Sequence, residues 1–150
     1  MPATVWGFFY GGLINPKVME KVGLAPLRQE LASLSGFDLE ISPLVNLVPR
    51  YGTTVFGLLL ETTHEQLVHV YGQLKARYHP FPVVANELGE GRLVPSLCYI
   101  VPSMPPAQAD ASHIAPLLEA GELLGFPDWY MTKIRSYLPG TDSPGTKLRA

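Results

Sequence analysis

Phe8-Phe9-Tyr10-Gly11-Gly12-Leu13-Ile14-Asn15-Pro16 runs an apolar strand straight into paired glycines and then into the start of a helix. Glycine is the residue that takes positive φ without strain, and it lets a backbone approach a ligand with no Cβ in the way. Gly11 and Gly12 can therefore take positive φ at this turn. Asn15 reads as an N-cap and Pro16 as the first helical residue. The amide N–H groups of such a turn form a concave donor site suited to a carboxylate or phosphate. The same residues also make an ordinary tight strand-to-helix turn, and spacing alone leaves both readings open.

Upstream of the glycines, Thr4 to Tyr10 is rich in β-branched and aromatic residues and reads as a strand. Downstream, a helix is expected from Pro16 to Val22 with Gly23 as its stop. Gln29 to Ser35 and Gly36 to Ile41 are strand candidates, Pro43 to Arg50 reads as a loop or irregular edge, and Thr53 to Leu60 is a clear strand with Gly57 as a possible bulge. Thr63-His64-Glu65-Gln66 fits a capping box, after which Leu67, Val70, Tyr71 and Leu74 share one helical face. Phe81 to Leu88 and Leu93 to Val101 form a hairpin through Gly89-Glu90-Gly91. The Pro-rich stretch from Pro102 to Pro106 breaks the sheet. Ser112 then caps a helix that Gly125 ends, and Pro127 opens another, with Tyr130, Ile134, Tyr137 and Leu138 on one face, closed by Pro139-Gly140. A single domain over 1–138 is expected, with 139–150 as a mobile C-terminal tail short of apolar anchors.

Composition narrows the function classes. A chain of 150 residues, 47% hydrophobic, can fill one core. Its formal charge of -2, with 11 scattered basic residues, argues against nucleic acid. It shows no signal-peptide pattern and no apolar run long enough for a bilayer, so a cytoplasmic protein without a membrane partner is expected. The lone Cys98, within a strand-like run, reads as a small core residue. His64, His69, His79 and His113 pair with no other ligand types at metal spacing, so neither a metal nor a cofactor is expected. The sequence sets no oligomeric state.

Strand neighbours lie close in sequence and regular βα alternation is lacking. The expected class is therefore α+β, with a mixed or antiparallel sheet closed as a small barrel flanked by helices. At this point the order of motifs resembles the γ-glutamylcyclotransferase superfamily, including its AIG2-like members. Phe8-Phe9-Tyr10-Gly11-Gly12-Leu13 is similar to the family's Tyr-Gly-Ser-Asn-Leu or Tyr-Gly-Thr-Leu loop, and Asn15-Pro16 continues it. Gly36-Phe37-Asp38-Leu39 and Val55-Phe56-Gly57-Leu58-Leu59 resemble the next two strand signatures. The stretch from Ile114 to Leu138, centred on Gly125-Phe126-Pro127-Asp128-Trp129-Tyr130, resembles the terminal helix pair.

The resemblance implies an intramolecular acyl transfer, in which the substrate's free α-amine attacks its own γ-carbonyl, expels an amine and leaves 5-oxoproline. It also implies that Tyr10, Gly11, Gly12 and Leu13 hold the substrate. The family's proton-moving glutamate lies in a Leu-Asp-x-x-Glu-Gly pattern, where this chain has Val70-Tyr71-Gly72-Gln73-Leu74-Lys75. Leu74 thus takes the place of the glutamate, and Tyr71 that of the aspartate. No acidic residue lies between Glu65 and Glu87, so a small shift of alignment does not restore one.

Three residues are candidate substitutes. Tyr78 matches a tyrosine that follows the glutamate in the family. His79 has an imidazole suited to proton transfer near neutrality, or else marks a solvated strand-entry turn. Glu87 faces either inward or, as is usual for a glutamate near a turn, outward. The expected function is binding of a γ-glutamyl or amino-acid-like small molecule at the Tyr-Gly-Gly loop, with ordinary cyclotransferase activity doubtful, as a divergent acyl-transfer enzyme. The alternative is a catalytically inactive ligand-binding or protein-interaction module on the same fold.

Overall fold

The computed structural model describes residues 3–74, 77–102 and 106–139. Its centre is a five-stranded closed barrel in the order β1-β3-β2-β4-β5. The strands are β1 (Thr4–Phe9), β2 (Arg28–Ile41), β3 (Val45–Thr63), β4 (His79–Glu87) and β5 (Leu93–Ile100), and the helices are α1 (Pro16–Val22), α2 (His64–Gly72), α3 (Ala111–Leu124) and α4 (Asp128–Arg135). All strand pairs are antiparallel except β1 with β5, which run parallel through Gly7 and Leu97. The expected small mixed barrel flanked by helices is the observed architecture. Its core is continuous, with Phe8, Leu39, Leu47, Leu59, Leu60, Ile114, Leu117 and Ile134 all buried.

The two expected strands between Gln29 and Ile41 are one strand with a slip of register between Ser35 and Phe37. Residues 50–53 of β3 bulge out opposite that slip. Gly36 and Gly52 supply the positive φ (85° and 84°), and the Thr53 hydroxyl donates to the Phe37 and Arg50 carbonyls at 2.7 and 2.8 Å. Gly57, the expected bulge, instead pairs in register with Ala32. Its lack of a side chain has another cause: a Cβ there would collide with the carbonyl oxygen of Phe9.

Of the stretch Pro43 to Arg50, read as a loop or irregular edge, only Pro43 and Leu44 stay outside a strand, since Val45 to Pro49 pairs with Ile41 to Phe37. Within it the side-chain amide of Asn46 pairs with the backbone of Val101 as a strand edge would. It donates to the Val101 carbonyl at 2.8 Å and accepts from the Val101 N–H at 3.0 Å.

Among the helices, α1 begins and ends as expected, with Asn15 as cap and Gly23 left-handed at φ 78°. Thr63 caps α2, but the capping box is only half formed. Gln66 bonds the Thr62 hydroxyl and the Gly23 carbonyl instead of reaching back to Thr63. Helix α2 stops at Gly72, so Leu74 lies beyond the apolar stripe it was expected to complete and is only half-buried. Asp110, not Ser112, caps α3, its carboxylate accepting from the Ser112 N–H at 2.9 Å. Helix α4 ends at Arg135, short of Tyr137 and Leu138, and the Tyr137 hydroxyl reaches back to the Leu39 carbonyl. Buried Asp38 on β2 fastens this corner, meeting Lys133 at 2.8 Å and Arg50 at 3.0 Å.

Between β2 and β4 the barrel pairs only at Ala32 with Glu87 and at Ser33 with Asn86. Residues 103–105 of the Pro-rich stretch and 140–150 of the expected tail lie outside the described residues. No described helix is long and apolar enough to cross a membrane.

Candidate ligand site at the glycine loop

Strand β1 delivers Tyr10 into the interior, where its hydroxyl donates to the Tyr99 carbonyl at 2.6 Å. The chain then leaves the barrel through Gly11 in extended conformation (φ -111°) and makes one 3-10 turn over Gly12–Ile14. The positive φ open to Gly11 and Gly12 is not taken up; the left-handed glycines are 23, 36, 52, 91 and 125. The glycines do something simpler, leaving the loop without side chains where Gly11 faces Val45 and Gly12 faces Pro116. Within the turn, the carbonyls of Gly11 and Gly12 are taken by the N–H groups of Ile14 and Asn15. Among the described residues, none accepts from the amides of Gly11, Gly12 or Leu13.

Next to this loop stands a cluster of phenols. Tyr71 stacks on Tyr99 with ring centroids 4.1 Å apart, and it also meets Tyr78 at 5.4 Å and Phe9 at 6.0 Å. The Tyr78 hydroxyl donates to the Val45 carbonyl at 3.2 Å, so Val45 links Tyr78 to Gly11. Burial, reinforced by Cys98, Tyr71 and Tyr78, pushes the Tyr10 phenol well above its ordinary value. Burial does the same to Tyr71, Tyr78 and Tyr99, and it pushes up the Cys98 thiol. Every one of these groups is uncharged at neutral pH, so the cluster offers hydroxyl donors and ring faces but no base.

The expected substitutes for the missing glutamate separate in space. Tyr78 is in the cluster. His79 opens β4 opposite Ile100 with its side chain exposed. Glu87 is buried, against the usual habit of a turn-proximal glutamate, because the hairpin uses it: its carboxylate accepts from the Glu90 N–H at 2.8 and 3.1 Å, with Arg92 at 3.8 Å. That hairpin turn sits where β5 begins. The glycine loop follows the end of β1, which runs parallel to β5, so loop and turn lie at opposite ends of these two strands. The structure thus brings together Tyr10, Gly11 and Tyr78, leaves Glu87 at the far end, and puts His79 at the loop's end of the barrel with its side chain exposed.

Two features of the site escaped the sequence reading, the stacking of Tyr71 on Tyr99 and the part played by Glu119. Tyr71 and Tyr99 were placed on a helix face and in a strand, with no sign that their rings stack. Glu119 of α3 was not singled out at all, yet its carboxylate accepts from the Asn15 side chain at 2.9 Å. Contacts between residues so far apart in sequence leave no local signal. No group of three metal-ligating side chains occurs among the described residues.

No protein-family model matches the chain, and no curated protein matches it in sequence. Solved structures do match it in shape. A γ-glutamyl cyclotransferase superimposes with a TM-score of 0.75 at 16% identity, over 94% of this chain and 91% of that one. A yeast γ-glutamyl cyclotransferase specific to glutathione gives 0.64 at 12% identity, over 94% and 100%. An AIG2-like protein of Mus musculus gives 0.54 at 21% identity, over 69% and 80%. The chain has the γ-glutamylcyclotransferase-like fold.

Proposed function

We propose that this chain binds a γ-glutamyl or amino-acid-like small molecule at the Gly11–Leu13 loop and turns it over poorly or not at all as an ordinary cyclotransferase. The observation that carries the reading is a row of three amides with no acceptor among the described residues, beside phenols that stay neutral. Unpaired amides suit a carboxylate. The choice of substrate class is supported by the structural neighbours, two of which are γ-glutamyl cyclotransferases by name.

Turnover needs more than binding. Closing the five-membered ring requires the α-amine to lose its proton, and the acceptor works best with a pKa near the operating pH. Tyr10, Tyr71, Tyr78 and Tyr99 are shifted the wrong way for that task, and Leu74 stands where the resemblance places the glutamate. Losing a general acid/base costs about 10² to 10⁴ in rate. The Tyr71–Tyr99 stack also favours a second reading, in which aromatic side chains fill the cavity and the fold serves as an interaction module.

Incubation of the purified protein with γ-glutamyl amino acids and γ-glutamyl amines, read by mass spectrometry for 5-oxoproline, tests turnover. Release close to the no-protein control is expected. Ligand titrations followed by amide NMR test binding, and shifts at Gly11 to Leu13 are the expected result. Rapid 5-oxoproline release would overturn the low-turnover reading, and an absence of shifts with every compound would favour the interaction module.

A further inference from the structure

We infer that Asn15 and Glu119 are positioning residues for the Gly11–Leu13 loop, through which α3 sets the geometry at which the loop amides meet a ligand. This rests on the loop-binding reading above and adds to it the parts that hold the loop in shape.

An N-cap needs only a side-chain acceptor, which Ser, Thr and Asp supply as well as Asn. Asn15 does more than cap. Its Oδ1 accepts from the Lys17 N–H at 2.9 Å, while its Nδ2 donates both to the Pro116 carbonyl and to Glu119 Oε1, each at 2.9 Å. Its own backbone N–H donates to the Gly12 carbonyl at 3.0 Å. The residue is only 2% exposed, so its side-chain amide has both hydrogens and its oxygen engaged away from water.

Helix α3 therefore meets the loop at two points one turn apart. Pro116 faces Gly12 directly, and Glu119 grips Asn15. Because Asn15 and Ile14 occupy the loop carbonyls, the groups left over are the amides, and fixing Asn15 fixes them. Glu119 is not suited to moving the proton itself. Hydrogen bonds from Asn15 and Lys17 hold its carboxyl below the usual carboxylate range, away from a value useful for proton transfer at neutrality.

The test uses the full chain, titrated with γ-glutamylalanine and separately with 5-oxoproline. Asn15→Ser keeps the cap and loses both donations, Glu119→Ala removes the acceptor, and Glu119→Gln keeps an acceptor oxygen. Asn15→Ser and Glu119→Ala are expected to weaken binding about tenfold and to speed hydrogen exchange at Ile14 and Asn15, whose N–H groups close the turn, with Glu119→Gln staying within about twofold of the parent, on the scale of one hydrogen bond. Equal affinity and equal loop exchange in all three variants would overturn the inference. So would identical losses in Glu119→Ala and Glu119→Gln, which would point to charge and not to the bracket. If neither probe binds the parent protein, the loop-binding reading fails, and the exchange rates of the ligand-free variants still decide whether Asn15 and Glu119 hold the loop.

Discussion

Tyr71 lies flat against Tyr99, the ring centroids 4.1 Å apart and the planes 10° from parallel. By resemblance, Tyr71 stands at a position where the γ-glutamylcyclotransferase pattern carries an aspartate. The ring of Tyr71 also contacts Phe9 and Tyr78. The stack is expected to matter as packing. Tyr71→Ala should cost about 3–5 kcal/mol, as for other large aromatic truncations, whereas Tyr71→Phe should cost under about 1 kcal/mol, since no described residue bonds the hydroxyl. Urea unfolding of the two variants measures both, and equal losses would show that the hydroxyl has a role of its own.

Leu74→Glu returns a carboxylate to the position that the resemblance marks. Leu74 lies past the end of α2 and is half-buried, so the substitution should fold. If the loop holds γ-glutamyl compounds, 5-oxoproline release should rise by about 10² to 10⁴ over the parent chain. A folded variant that stays inert across a wide γ-glutamyl panel would show that the loop does not present such substrates to residue 74.

Two glycines of similar appearance should respond oppositely to alanine. Gly57→Ala drives a Cβ into the Phe9 carbonyl and should cost about 1–3 kcal/mol or more. Gly12→Ala meets nothing nearer than Pro116 at 3.8 Å and should leave stability within about 0.5 kcal/mol. Thermal melts of both variants check this, and a large loss in Gly12→Ala would show that the loop backbone needs glycine for its conformation.

Alkaline pH should unfold the protein cooperatively. Burial raises the phenols of Tyr10, Tyr71, Tyr78, Tyr99, Tyr130 and Tyr137 and the thiol of Cys98. A group whose folded pKa is raised contributes stability that is fully present below its unfolded value and lost as pH climbs towards the folded one. Losses should therefore begin at about pH 8.5 from the thiol and steepen above about pH 10 from the phenols. Phenolate absorbance and far-UV circular dichroism should change together. A smooth phenolate titration of a still-folded protein would contradict the burial of these hydroxyls.

Asp38→Ala should cost about 1–3 kcal/mol. It strips a buried carboxylate from Arg50 and Lys133, whose own partial exposure softens the loss. A double-mutant cycle with Lys133→Ala would isolate the bond from β2 to α4, and additive losses would show that the pair is not coupled.

What was legible in the sequence was local. Asn15, Pro16 and Gly23 mark both ends of α1 because caps and stops act on adjacent residues, and Gly91 and Gly125 announce their turns in the same way. Barrel closure was inferred only from the order of elements, since the β1–β5 contact joins Gly7 to Leu97 with no signal in either segment. The pairing of Asn46 with Val101 left no local sign, because the two lie 55 residues apart. Leu74 continued a helical period that Gly72 interrupts, and Glu87 is buried because a turn three residues on supplies an N–H to it. In each case a distant or backbone partner overrode a pattern that was sound by itself.

The sparse pairing of β2 with β4 leaves part of a barrel seam without its ladder. Pro80 and Pro82 lie on the unpaired part of β4, opposite Tyr99 and Leu97 of β5. Antiparallel pairs alternate between bonded and unbonded sites, and a proline fits only where its nitrogen points away from the partner strand. Both rings therefore turn towards the gap and remove the donors an intruding strand would need. An incoming strand would find no donors at these two positions, so a crowded solution of this protein has one fewer route to aggregation.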